Sequence, residues 1–118
     1  MAEKRAGHYV GTEIDERWWR RYSENGFLAR GNGTYWFGRD GLNFHRYLTS
    51  EPLVIPYSQI ENISTGTWHA GRWNLGWPIV KLHWERNGLR LSSGFVVAKD
   101  QAETEEFIVE LMHRLNAR

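Results

Sequence analysis

The stretch from Val80 to Phe95 constrains this chain more than any other. Val80, Leu82 and Trp84 alternate with Lys81, His83 and Glu85, the period of two that marks a half-buried strand. Asn87-Gly88 follows, the dipeptide best suited to a two-residue hairpin, because both positions of that turn need positive φ. Leu89, Leu91, Ser93 and Phe95 resume the alternation on the return strand. The next segment provides a cover for the apolar face. Asp100-Gln101-Ala102-Glu103 reads as a capping box, and Phe107, Ile108, Leu111 and Leu115 then recur on one stripe of a helix, with Met112 beside it. Glu103, Glu105 and Glu106 lie early in that helix while His113, Arg114 and Arg118 lie at its end, the order the helix dipole favours. A stripe of this width must be buried against the sheet.

Upstream, strand signals are shorter and separated by turns. Thr34-Tyr35-Trp36-Phe37 is rich in strand formers, and Gly38 to Gly41 is a tight turn. Leu42, Phe44, Arg46 and Leu48 alternate with Asn43, His45 and Tyr47. Leu53-Val54-Ile55 is a short strand ended by Pro56, and Tyr57 to Ile60 is a turn or single helical turn. Glu61 to Ala70 reads as the next strand, with Gly66 as a candidate bulge, and residues 71–77 as a loop. At the other end, the first eleven residues are polar and expected to fray. Thr12 to Asp15 resembles a second capping box, and Ile14, Trp18 and Tyr22 recur at helical spacing before Asn25-Gly26. The spacing predicts a helix over 13–23 with Trp19, Arg20 and Arg21 on its rim. The expected fold is therefore mainly β with a C-terminal helix (α+β): about seven antiparallel strands in a small barrel or orthogonal sandwich closed by the helix. Residues 1–29 are read as an N-terminal extension with its own short helix, and 30–118 as the domain.

Composition removes several function classes. At 118 residues the chain suits one domain. With no cysteine, disulfides, zinc ribbons, iron–sulfur ligation and a thiol nucleophile are excluded. Lys plus Arg numbers 15 against 14 Asp plus Glu, a balance unlike that of a general nucleic-acid binder, so no nucleic-acid partner is expected. No apolar run approaches the roughly 18 residues of a membrane span. Nor does an apolar stretch follow Met1-Ala2-Glu3-Lys4-Arg5, so no signal peptide and a cytoplasmic place are expected.

The order of these elements resembles the pleckstrin-homology-like (PH-like) superfold, especially its small bacterial and GRAM-like members. Three places carry the resemblance: the hairpin Gly33 to Phe44, the transition Val54-Ile55-Pro56-Tyr57-Ser58-Gln59-Ile60-Glu61-Asn62-Ile63, and the helix after Leu89–Val97. It covers roughly residues 30–116. It implies a binding scaffold rather than an enzyme, one that takes lipid headgroups, peptides or proteins, with self-association common among bacterial members. Phosphoinositide recognition does not carry over. Members with that property hold a basic cluster at the first hairpin loop, where this chain has Arg39 beside Asp40.

The candidate site is the loop Trp68-His69-Ala70-Gly71-Arg72-Trp73-Asn74-Leu75-Gly76-Trp77. Tryptophan presents a large apolar face and one N–H, and arginine stacks on it, so such a loop suits a peptide, a subunit contact or a membrane interface. Trp73 and Arg72 are expected to face outward between Gly71 and Gly76. Trp68 and Trp77 are expected to anchor the loop from below. His69, Lys81 and Arg90 complete the candidate binding set. Residues 62–99 carry five basic side chains against Glu85 alone, while 100–118 carry five acidic against two basic. That asymmetry could orient the domain on anionic lipid or pair copies basic face to acidic face. The expected function is non-enzymatic binding through protein contacts and self-association, with peripheral attachment to anionic lipid as the alternative.

Catalytic signals are weak. His45, His69 and His83 lie on three predicted strands, and their convergence would make a metal-dependent hydrolase, but no HExxH or close pair accompanies them. His45 and His83 are expected on exposed faces. Ser64 and Ser92-Ser93 lack a GxSxG elbow, and the glycines form neither GxGxxG nor a P-loop. No cofactor, metal or catalytic residue is assigned.

Overall fold

A computed structural model describes residues 3–117. The strands are β1 (Arg5–Ile14), β2 (Arg17–Arg21), β3 (Gly31–Phe37), β4 (Gly41–Arg46), β5 (Leu53–Pro56), β6 (Ile60–Gly66), β7 (Trp68–His69), β8 (Arg72–Trp73), β9 (Ile79–Arg86) and β10 (Leu89–Val96). A C-terminal helix, α1, spans Gln101–Asn116. The pairs are antiparallel, in the order β5-β4-β3-β1-β10-β9-β6, with β2 branching from β1 and β7–β8 forming a separate small hairpin. The main sheet is not closed: β5 and β6 are its two ends and do not pair with each other. The single helical turn Tyr57–Gln59 joins those ends, and α1 packs against it.

The Asn87-Gly88 turn forms as expected, with φ of 52° and 80°. So does the helix cap, where the Asp100 carboxylate accepts the Glu103 N–H at 2.8 Å. Phe107 and Leu111 are buried in the main core, and Ile108 and Leu115 pack at its margin.

The N-terminal helix does not form. Residues 5–14 are instead a central strand between β3 and β10, and Arg17–Arg21 fold back as β2. Asp15 and Glu16 both take φ of 55° and make the turn between them. The spacing of Ile14, Trp18 and Tyr22 is compatible with a helix, but burial of strand β1 decides the outcome, since Tyr9 and Val10 are fully inaccessible. Strand pairing of β1 with β3 and β10 thus crosses the boundary expected at residues 29/30. Two smaller departures follow from local turns. Leu48 leaves the sheet at φ 66°, where Thr49 Oγ1 donates to Arg46 O at 2.8 Å and ends β4. The irregularity in β6 falls between Ile60 and Asn62, not at Gly66.

One irregularity positions everything that follows. Between Tyr9 and Gly11 the register of β1 against β10 slips, and Gly11 takes φ 127°, which L side chains rarely adopt. Tyr9 and Thr12 therefore share the inner face although three residues apart. A polar thread runs there: Trp84 Nε1 donates to Ser93 Oγ (2.9 Å), Ser93 meets Thr12 (2.6 Å), Thr12 meets Tyr9 (2.6 Å), and Tyr9 Oη donates to Phe27 O (2.6 Å). Indole can only donate and a carbonyl can only accept, so all three hydroxyls must point the same way. Burial pushes the Tyr9 phenol above its ordinary pKa, which keeps it a donor. On the outer face lie Val10, Gly11 and Glu13.

Candidate interaction surface

The outer face of β1 and β10 is covered by the β7–β8 hairpin, held at three points. The His69 ring fills the space that a side chain at Gly94 would need, since a Cβ there would stand 2.4 Å from a ring carbon. His69 Nε2 lies 3.1 Å from Gly11 O, and because a carbonyl only accepts, Nε2 carries the proton. The Ala70 N–H donates to Glu13 Oε2 at 2.8 Å. Arg30 reaches across from the β2–β3 connection, its Nε donating to Val10 O at 2.7 Å and its Nη2 to Ala70 O. His69 Nδ1 is left without a hydrogen-bond partner, 3.7 Å from Glu13 Oε1. Burial, opposed by the Glu13 carboxylate, holds the imidazole below its ordinary pKa. Burial and the nearby guanidiniums of Arg21 and Arg72 likewise depress Arg30.

This anchoring lifts tryptophans into solvent. Trp68 and Trp73 face each other across the hairpin and are 50% and 59% exposed. Beside them, β2 presents Trp18 and Trp19, 52% and 58% exposed, with ring centroids 5.7 Å apart. The Trp18 ring reaches the hairpin turn, 3.4 Å from where a Cβ on Gly71 would stand. The Trp18 ring thus links the two aromatic hairpins, and Leu75 of the following loop is exposed as well. Arg17 stacks over Trp19 at 5.6 Å. Arg20 is paired with Asp15 at 2.9 Å and Arg90 with Glu16 at 3.8 Å, while Arg17 and Arg72 have no carboxylate within 4.0 Å among the described residues.

The expected site residues divide. Trp68 and Trp73 come together on the surface, while Arg72, also exposed, pairs with His69 on the other face of the hairpin. Trp68 is not the buried anchor expected of it; it is half exposed on a two-residue strand of the separate small hairpin. Trp77 does pack inward, half-buried against Val10, Ile79 and Val96, with Lys99 Nζ 4.8 Å above its ring. His69 is fully buried and cannot meet a ligand; it fastens the hairpin. Lys81 lies half-buried beside it, and Arg90 sits apart at the β1–β2 turn. Trp18, Trp19 and Arg17 lie outside the expected binding set, because helical spacing assigns Trp18 and Trp19 to a helix that does not form. The run Arg17-Trp18-Trp19-Arg20-Arg21 has the same tryptophan-and-arginine composition as the loop and was the available signal.

The histidines do not converge. His45 is half-buried, not exposed, with its Nε2 bonded to Thr49 O at 2.7 Å. His83 is half-buried, not exposed, because its two nitrogens bridge Ser64 Oγ and Ser92 Oγ, each at 2.7 Å. Among the described residues no three histidine, aspartate or glutamate side chains group as a metal ion would require.

An antiparallel sheet capped by one C-terminal helix, with side chains gathered on its outer hairpins, defines a binding scaffold. The chain belongs to the bacterial PH domain-like family, whose model matches residues 1–112. Domains of this kind are generally non-catalytic binding modules. No curated protein and no solved structure matches the chain. No helix among the described residues is long and apolar enough to cross a membrane.

Proposed function

We propose that this domain is a protein-interaction module whose contact surface is formed by Trp18, Trp19, Trp68 and Trp73 with Arg17 and Arg72. One observation supports the reading above the rest: four tryptophans at least half exposed, drawn from two separate hairpins that the Trp18 ring links. Contiguous apolar surface of this kind is unfavourable in a free monomer, and tryptophan and arginine dominate the energetics of protein contacts. Protein contacts here include contacts between copies of the chain, at a cytoplasmic location. A second reading, peripheral attachment to anionic lipid, is favoured by exposed Leu75 beside Trp73 and Arg72. Against it, Asp15 and Glu16 at the tip of the adjacent turn pair with Arg20 and with Arg90 of β10 and add negative charge beside the tryptophans.

Acrylamide quenching of tryptophan emission tests the proposal. Quenching should fall as the chain is concentrated or a protein partner is added, and the fall should be absent in Trp18→Ala/Trp73→Ala. If quenching is unchanged by protein and falls only with phosphatidylglycerol vesicles, the lipid reading replaces it.

A further inference from the structure

We infer that the occupant of the tryptophan surface is the outer face of α1 on a second copy of this chain, so that copies join head to tail. The inference rests on the reading of that surface as a protein contact and names its partner. The inner stripe of α1 is spent on the core. Its outer face nonetheless carries Val109 and Met112, 67% and 49% exposed. A shallow groove of about 480 Å³ runs along it, lined by Ala102, Glu105, Glu106, Val109, Glu110 and His113. Each surface is thus apolar at its centre and charged at its rim, and the rims have opposite sign. Arg17 stacks on Trp19, Arg72 is exposed at the hairpin's edge on the His69 side, and Glu105, Glu106 and Glu110 flank Val109. Of these glutamates only Glu110 has a basic partner among the described residues, Arg114 at 3.3 Å.

The geometry requires the contact to be intermolecular. Phe107 of α1 packs against Tyr35 and Phe37 of β3, ring centroids 5.2 and 5.3 Å apart, and with Leu111 joins the core that holds Tyr9 and Phe95 on the inner side of β1 and β10. His69 seats the tryptophan hairpin over Gly11 and Gly94 of those strands, on the outer side. One chain cannot bring its two surfaces together through its own sheet. Because the surfaces differ, the contact is heterologous, and each added copy presents one unused surface of each kind. Assembly therefore grows with concentration and either closes a ring or stays open. Exposed arginine–glutamate rims also make it sensitive to salt.

Sedimentation velocity on the full chain, with three variants checked for folding by circular dichroism, tests this. Wild type should show a mass that rises with concentration and falls with added salt. Trp18→Ala/Trp73→Ala and, separately, Val109→Ser/Glu106→Lys should each weaken association by about tenfold or more, the size of one hot-spot residue. Mixed in equal amounts, the two should form a dimer and nothing larger, because the pair retains one intact surface of each kind. Arg72→Glu replaces the tryptophan variant if that protein fails to fold. Self-association that survives Val109→Ser/Glu106→Lys overturns the inference in favour of contact between two tryptophan surfaces. A wild type that stays monomeric overturns it while leaving the surface open to another protein. That second failure is distinguished by tryptophan quenching that still responds to a protein partner.

Discussion

Strands β1 and β10 are covered on both faces, and the two covers are built differently. Inside, the apolar stripe of α1 packs onto the main core, where a polar thread from Trp84 to Phe27 O is satisfied at every atom along its length. Outside, a hairpin of two-residue strands is held by one buried histidine, one carboxylate and one arginine, and a histidine nitrogen remains unpaired. The inner cover is fixed by area removed from water. The outer one is fixed by a few polar points that keep aromatic side chains away from the sheet. Holding the fold and presenting exposed tryptophans are thus separate tasks of separate covers.

The largest effect should come from the inner cover. Leu111→Ala removes a fully buried side chain and is expected to cost about 2–5 kcal/mol, read as a lowered urea midpoint. An unchanged midpoint would mean that α1 is not the lid of the core. Tyr9→Phe cuts the thread near its end, leaving Phe27 O without its donor and the Thr12 hydroxyl without its acceptor. A loss of about 1–3 kcal/mol is expected, since each orphaned buried group carries its full desolvation cost. Gly94→Ala tests the outer cover, because its Cβ must displace the His69 ring. Faster hydrogen exchange at the Ala70 amide, with the α1 amides unaffected, is the expected signature.

Acid should loosen the outer cover before the inner one. The pKa of His69 in the fold is below its ordinary 6.5, so the unfolded chain binds a proton more readily. The stability that His69 contributes is complete above that ordinary value and is lost as pH falls through the lowered one. A melting temperature that declines below about pH 6.5, with the decline reduced in His69→Gln, is the expected result. The smallest effect on stability should be that of Trp73→Ala, within about 0.5 kcal/mol as for other surface changes. A severe loss of stability would make Trp73 part of the cover rather than its outward face.

The parts of this fold that were legible are those where one local rule acts alone. The β9–β10 hairpin has strict alternation and an Asn-Gly turn, and α1 has a capped stripe. The N-terminus was misread because two rules conflict there. Asp15 and Glu16 make a hairpin turn without glycine or asparagine, and Thr12 sits before them like a helix cap although its hydroxyl is spent inside the core. No periodicity marks β1 as a central strand, since its slip at Gly11 breaks the alternation. The candidate surface was half legible. Composition singled out the β7–β8 loop, but Trp18 and Trp19 join it only through a pairing set by the tertiary fold, and burial of His69 depends on a glycine 25 positions away in sequence.

The open ends of the sheet bear on how such a sticky domain avoids aggregation. β5 is four residues long and finishes at Pro56, which has no N–H to offer a new neighbour. β6 is longer, but its register is broken between Ile60 and Asn62, and exposed Glu61 sits at the break. Unbroken, uncharged strand borders are the templates on which cross-β fibrils grow. Neither border here is one. Copies joined as proposed through their tryptophans would meet through side chains, without zipping backbone to backbone.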